Sequence, residues 1–69
     1  MKVGMKVICQ HYVRNQVLGN RWIWLCEAQD EWATYISTLA DLDTTEFGHY
    51  FWNKKEAVND FNDRIISYQ

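Results

Sequence analysis

The chain has 69 residues, is rich in aromatic side chains (four Trp, four Tyr and three Phe), and carries a net charge of −2 at neutral pH. At this length we expect a single domain over residues 1–69, and so small a domain buries only about 60% of its unfolded surface. No apolar run approaches the ~20 residues that cross a bilayer, and no repeat or Gly/Ser-rich linker interrupts the chain, so we expect neither a membrane span nor a second domain in it. Only two cysteines and no signal-peptide pattern predict a cytoplasmic protein with reduced thiols.

The charges are segregated along the chain. Every charged residue in positions 1–21 is basic, and every charged residue in positions 22–53 is acidic. Segregation of this kind favours charged partners and carries little information about the fold.

The first predicted element is a strand over residues 3–17, where apolar and polar side chains mostly alternate. Gly19 and Asn20 predict a two-residue hairpin turn after it. With that turn, Val13 lies opposite Cys26 in the next strand. A slip of one residue would exchange the two faces, so the faces depend on this turn.

Three more strands are predicted before the C-terminal helix. Residues 21–28 are strongly β-favouring and apolar on both faces. Residues 32–39 are ambiguous, because their apolar residues also occur at helical spacing, and their β-branched and aromatic content favours a strand. Residues 41–46 form an acidic loop, and residues 47–52 form an aromatic strand.

The clearest pattern is an amphipathic helix over residues 53–68. Asn53 followed by Glu56 resembles a capping box with Asn in place of Ser or Thr. One helical stripe is apolar and is expected to face a sheet: Ala57, Val58, Phe61, Ile65 and Tyr68. The opposite stripe is expected to face water: Glu56, Asp60 and Asp63.

These elements predict an α+β fold, a small antiparallel sheet of three to four strands with one C-terminal helix packed on one face, in the order β-β-β-β-α. Because one helix covers one face, the other face is left for a partner. The sequence leaves open which of the two faces the helix covers. With the Gly19–Asn20 turn, the candidate uncovered face carries Ile8, Tyr12, Arg14, Ile23 and Leu25.

No pattern of catalytic, cofactor-binding or metal-binding residues is apparent, so we expect no enzyme activity, cofactor, metal or small-molecule substrate. Two Cys and two His are the right types for tetrahedral zinc, but Cys9, His11, Cys26 and His49 lack the paired spacings of zinc motifs. A disulfide between the two cysteines is not expected either, because the predicted register places them out of alignment.

The remaining hypotheses concern binding. The first is a non-enzymatic inhibitor or regulator that occludes another protein, such as a nucleic-acid-handling enzyme mimicked by acidic residues, by analogy with small acidic proteins of phages and mobile elements. Its contact residues are the uncovered face or an acidic surface of Glu27, Asp30, Glu31, Asp41, Asp43, Glu46, Glu56, Asp60 and Asp63.

Two alternatives remain open. A basic, aromatic sheet face with Tyr12, Arg14 and Arg21 would bind nucleic acid, although a net negative chain is poorly built for phosphate neutralisation. The uncovered face would otherwise pair two copies of the chain as a homodimer.

Overall fold

The computed structural model describes residues 4–41 and 44–69. Four strands precede one helix, in the order β1 (Lys6–Val13), β2 (Arg21–Glu27), β3 (Trp32–Ser37), β4 (Glu46–Phe51) and α1 (Lys54–Tyr68). All neighbouring strands pair antiparallel, in the spatial order β1-β2-β3-β4. The predicted α+β fold is therefore confirmed, including the strand at the ambiguous third segment.

The connection between β1 and β2 differs from the prediction. It is a seven-residue loop, residues 14–20, organised by Asn15, whose Oδ1 accepts the backbone N–H groups of Val17 and Leu18 at 2.8 and 2.7 Å. Its backbone carbonyl also accepts the N–H of Gly19 at 3.0 Å. Because the Asn side chain competes for backbone hydrogen bonds, it ends the strand early and replaces the predicted Gly19–Asn20 turn.

This loop changes the register of the first hairpin. Val13 lies opposite Arg21, five positions from its predicted partner Cys26. Because the register differs by an odd number of residues, each side chain of β1 shares a face with the opposite set of β2 side chains from the one predicted. The predicted composition of the two sheet faces is therefore wrong, although the strands themselves are correct.

The helix covers one face through the predicted apolar stripe. Ala57 and Phe61 are buried in one cluster that includes Ile23, Leu25 and Ile36 of the sheet. The rest of the stripe packs against that cluster: Val58, Ile65 and Tyr68. Only the last residue of β1, Val13, belongs to this core, because the other seven residues of that strand are exposed.

The start of α1 follows the predicted cap. Asn53 has extended backbone angles, φ −129° and ψ 155°, and its side chain accepts the Glu56 N–H at 2.9 Å. Lys54 in the first turn would oppose the helix dipole. Its Nζ lies 5.7 Å from the centre of the Trp32 ring, a cation–π contact that offsets this cost.

We predict that Asn53→Ala lowers the free energy of unfolding by about 1 kcal/mol, because the Glu56 N–H loses its acceptor. Urea unfolding at pH 7 measures the loss. Asn59→Ala, at an exposed position within the same helix, is the control and should be neutral or slightly stabilising. An equal loss from both substitutions would contradict the role of Asn53 as a cap.

Candidate protein-binding face

The side of the sheet opposite α1 carries large aromatic side chains from all four strands. Tyr12 of β1 pairs with Trp22 of β2, and Trp24 of β2 pairs with Tyr35 of β3. Tyr50 of β4 lies opposite Ala33, on the same side. We call these five aromatic residues the aromatic face.

Two of these rings form a buried floor. Trp24 and Tyr35 are 4% and 3% exposed, although α1 packs on the other side of the sheet. They are buried by a second cluster that contains Cys26 and Ala33, with Met5 and Trp22 packed against it.

The polar atoms of this floor have partners. Trp24 Nε1–H donates to Ser37 Oγ at 2.7 Å, and Ser37 Oγ donates in turn to the carbonyl of Leu39 at 2.6 Å. Because a buried indole N–H without an acceptor is costly, this chain of bonds holds the Trp24 ring in one position within the face.

The outer rings remain accessible. Tyr12 and Tyr50 are 40% and 57% exposed, on opposite edge strands. Tyr12 packs against Trp22 with ring centres 4.9 Å apart and ring planes tilted by 53°, and Tyr50 meets Tyr35 edge-on at 6.0 Å. The contacts hold the exposed rings in place, which lowers the entropy that they would lose on binding.

The face is also electrically neutral at pH 7. The strand residues that share it carry no formal charge: Gln10, Tyr12, Trp22, Trp24, Cys26, Ala33, Tyr35, Ser37, Gly48 and Tyr50. The pKa of the Tyr35 hydroxyl is raised above its ordinary value. Burial is the largest cause, and the hydrogen bond with Tyr50 is the next. The hydroxyl therefore stays protonated.

Gly48 gives Tyr50 room to lie inward. A Cβ at Gly48 would sit 2.7 Å from Tyr50 Oη and 2.8 Å from Tyr35 Cε1, closer than real contacts allow. Only a glycine at this position of β4 lets the Tyr50 ring lie over the strand and reach Tyr35.

The sequence prediction of the uncovered face is only partly correct. Tyr12 lies on it, but Ile23 and Leu25 are 0% and 4% exposed beneath α1, so their assignment is wrong. Ile8 is exposed at a β-bulge, and Arg14 is exposed in the loop after β1. The spacing of Trp22 and Trp24, two positions apart on one strand, is the sequence signal that points to the aromatic face.

The predicted acidic surface is divided. Glu27, Asp30 and Glu31 lie at the β2–β3 turn, whereas Asp41 and Glu46 lie at the far end of β3. The six residues of β3 span about 20 Å, which separates the two groups. Glu56 and Asp63 are exposed on the helix, and Asp43 lies outside the described residues. Among the described residues, the carboxylates at the two ends of β3 therefore do not form one continuous patch.

The predicted nucleic-acid residues are divided as well. Arg21 lies opposite Val13, on the helix side of the sheet, whereas Tyr12 projects from the other side. Arg21 lines a groove of about 130 Å³ near Glu46 and Phe47. The basic and aromatic side chains that would bind a nucleic acid together therefore face different directions.

A polar cluster on the helix side was not predicted. Asp60, which the helical pattern places in water, instead accepts a hydrogen bond from Thr34 Oγ1 at 2.5 Å and lies 3.0 Å from His49 Nδ1. Arg64 is 6% exposed, its Nε is 3.2 Å from Asp60 Oδ2, and its Nη2 donates to the Phe47 carbonyl at 2.6 Å. The prediction that Asp60 faces solvent is wrong, because the cation one turn later draws it toward the sheet.

The pKa of Asp60 reflects these contacts. Burial alone would raise it, but the hydrogen bonds from Thr34 and His49 and the positive charge of Arg64 outweigh burial and lower the pKa. Burial also lowers the pKa of Arg64, partly offset by the charge of Asp60. Folding therefore favours the ionised form of Asp60, whereas burial opposes the charge of Arg64.

We predict that Asp60 makes folding stability depend on acid. Since its folded pKa lies below its unfolded value of about 3.9, its contribution is complete above that pH and is lost as the pH falls through the folded pKa. The stability difference between the wild type and Asp60→Asn, measured by urea unfolding, should shrink below pH 4. Asp63→Asn, an exposed change of equal charge, should show a small and nearly constant difference.

Three further kinds of observation bear on how the site can be interpreted: metal-ligand grouping, helix hydropathy and similarity to known proteins. Within residues 4–41 and 44–69, no three His, Cys, Asp or Glu side chains are grouped to hold a metal ion, and no helix is long and apolar enough to cross a membrane. No protein-family model, curated protein or solved structure matches the chain. The aromatic face therefore has to be interpreted from its own chemistry.

Proposed function

We propose that this chain is a non-enzymatic regulator that covers a surface of another protein with its aromatic face. The observation that supports the proposal is the set of five aromatic side chains on an uncharged sheet face opposite α1. Tyr and Trp are the residues that most often anchor protein interfaces, because they bury a large rigid area and still offer a hydrogen bond.

The chemistry of the face indicates what its partner presents. An uncharged aromatic centre fits an apolar patch, and the exposed Tyr12 at the border can offer its hydroxyl to an acceptor of the partner. Glu31 lies close enough for its charge to raise the pKa of Tyr35. A basic residue of the partner would pair with Glu31 at this edge.

The chain acts in this proposal as a cytoplasmic inhibitor or regulator, and it binds its partner through the aromatic face and not through the acidic surface. Acidic mimicry by residues 27–46 is not part of it, since those carboxylates lie at two ends of the sheet. A reducing compartment fits the exposed thiol of Cys9, and the buried thiol of Cys26 belongs to the floor of the face.

Site-specific photocrosslinking tests the proposal. A benzophenone amino acid is placed singly at Tyr12, at Tyr50 or at Trp52, and the protein is irradiated in a lysate of the organism that encodes it. Trp52 is the control, because it is 84% exposed but lies beyond the end of β4. We expect the probes at Tyr12 and Tyr50 to label the same protein and the probe at Trp52 not to label it.

A substitution on the aromatic face provides a second test. Trp22→Glu introduces a charge into the face beside Tyr12, so it should weaken binding of the partner and reduce the Tyr50 crosslink at least tenfold. Crosslinks only between copies of the chain would favour the homodimer instead, and equal labelling from all three positions would refute the proposed surface.

A further inference from the structure

The outer edge of β1 carries two metal-binding side chains. Cys9 lies opposite Leu25 and His11 lies opposite Ile23, so both project from the helix side of the sheet. Both are exposed, because α1 reaches β1 only at Val13. In the described part of the chain β1 is an edge of the sheet, so its outer backbone groups have no strand beside them.

We infer that two copies of the chain bind one zinc ion between their β1 edges, with Cys9 and His11 of each copy as the four ligands. Antiparallel pairing of two β1 strands about Gln10 places Cys9 opposite His11 of the second copy, and His11 opposite Cys9. All four side chains then project from one face of the joined sheet.

The spacing suits a tetrahedral site. Residues two apart on a strand are separated by about 6.8 Å, and directly opposite side chains have Cβ atoms about 4.5–5.5 Å apart. Thiolates and imidazoles bind zinc at about 2.3 and 2.0–2.1 Å, so one ion above the centre of the four lies within reach of all four side chains. Two thiolates also balance the charge of the zinc ion.

The other candidate ligands of the chain lie elsewhere. Cys26 is fully buried in the floor of the aromatic face, on the opposite side of the sheet. His49 is on β4, where its Nδ1 contacts Asp60 and Arg64. A single chain therefore supplies two ligands, and the second copy completes the set.

Charge makes this pairing depend on the metal. Lys6 begins β1 and Arg14 lies just beyond its last residue, so antiparallel pairing brings Lys6 of one copy near Arg14 of the second copy at both ends of the joined edge. Like charges close to one another across paired strands are destabilising. Glu27 of β2 lies opposite Lys6 and offsets part of this repulsion, whereas Arg14 has no acid beside it in residues 4–26. The pairing needs the metal–ligand bonds to overcome this repulsion. It uses none of the residues of the aromatic face and is independent of the proposed function.

Metal titration with mass measurement tests the inference. Purified protein in a phosphine reductant is followed by analytical ultracentrifugation with EDTA and then with ZnCl2. CoCl2 serves as a spectroscopic probe of thiolate ligation. We expect a monomer in EDTA, a twofold rise in mass at 0.5 metal per chain, and cobalt bands typical of a tetrahedral site with two thiolates.

Variants decide the ligands and the register. Cys9→Ser and His11→Ala should each abolish the dimer, whereas His49→Gln should retain it. Arg14→Glu should lower the zinc concentration that is needed for the dimer severalfold, because it makes the contact with Lys6 attractive. A dimer in EDTA, a monomer at one metal per chain, no uptake of zinc, or weaker assembly of Arg14→Glu would each overturn the inference.

Discussion

Replacement of Arg64 by alanine should lower the free energy of unfolding by about 3 kcal/mol. Arg64 is almost fully buried, and its guanidinium contacts Asp60 and the backbone carbonyl of Phe47. The substitution leaves a partly buried carboxylate without its cation and a carbonyl without its donor. Removing one partner of a buried pair costs more than the pair itself contributes, because the remaining charge stays desolvated.

The Phe47 contact adds a second effect. The register between β3 and β4 shifts after Thr34, and Phe47 has a φ of 53°, in the left-handed region that non-glycine residues rarely adopt. Arg64 is the side chain that bonds this bulge to α1. We therefore expect amide exchange in β4 to accelerate in Arg64→Ala beyond the change seen in β2.

Urea unfolding at pH 7 measures the main effect, with Arg14→Ala as the control for loss of an exposed cation. The control should change stability by less than about 0.5 kcal/mol. In a double-mutant cycle, Asp60→Asn combined with Arg64→Ala should cost less than the sum of the single changes by about 1 kcal/mol. Strict additivity would show that Asp60 and Arg64 are not coupled.

The sequence predicted those elements whose signals are local. Asn53 as the cap of α1 and the apolar stripe of Ala57 and Phe61 are correct, because a cap and a helical period are both contained in the segment itself. The third strand was ambiguous for a physical reason. β3 buries Thr34 toward the helix and Tyr35 toward the aromatic face, so it lacks the alternation that marks a half-buried strand.

The prediction of the candidate site was wrong where it depended on pairing between segments of the chain. Ile23 and Leu25 were assigned to the wrong face because their assignment followed from a two-residue turn at Gly19–Asn20. Asp60 was assigned to solvent because a helical wheel contains no information about Thr34 on a strand 26 positions away. Both errors arise from contacts that are distant in sequence.

Asn15 is the residue behind the first error, and its replacement by alanine should lower the free energy of unfolding by about 2 kcal/mol. Its Oδ1 accepts two N–H groups of the loop, and its Nδ2 donates to the carbonyl of Tyr68 at 3.1 Å. The same side chain thus closes the β1–β2 loop and satisfies an unpaired carbonyl at the end of α1. The bond to Tyr68 joins two parts of the chain that are 53 positions apart.

Two further variants separate these roles. Asn15→Asp retains the oxygen that holds Val17 and Leu18 but loses the donor to Tyr68, and it places a negative charge at the helix C-terminus, where the dipole disfavours it. We expect it to destabilise the last turn of α1 selectively, as faster amide exchange in residues 65–69. Asn20→Ala, which removes one weaker acceptor at 3.3 Å, is the control and should cost less than about 1 kcal/mol.

Urea unfolding and amide exchange on the three variants give a direct test of this division. If Asn15→Asp matches the wild type in both, the bond to Tyr68 contributes nothing and the loop alone accounts for the loss in Asn15→Ala. If Asn20→Ala costs as much as Asn15→Ala, the loop is held by its tip and the early end of β1 has another cause. The expected ranking therefore ties the register of the first hairpin, and with it the composition of the aromatic face, to one asparagine.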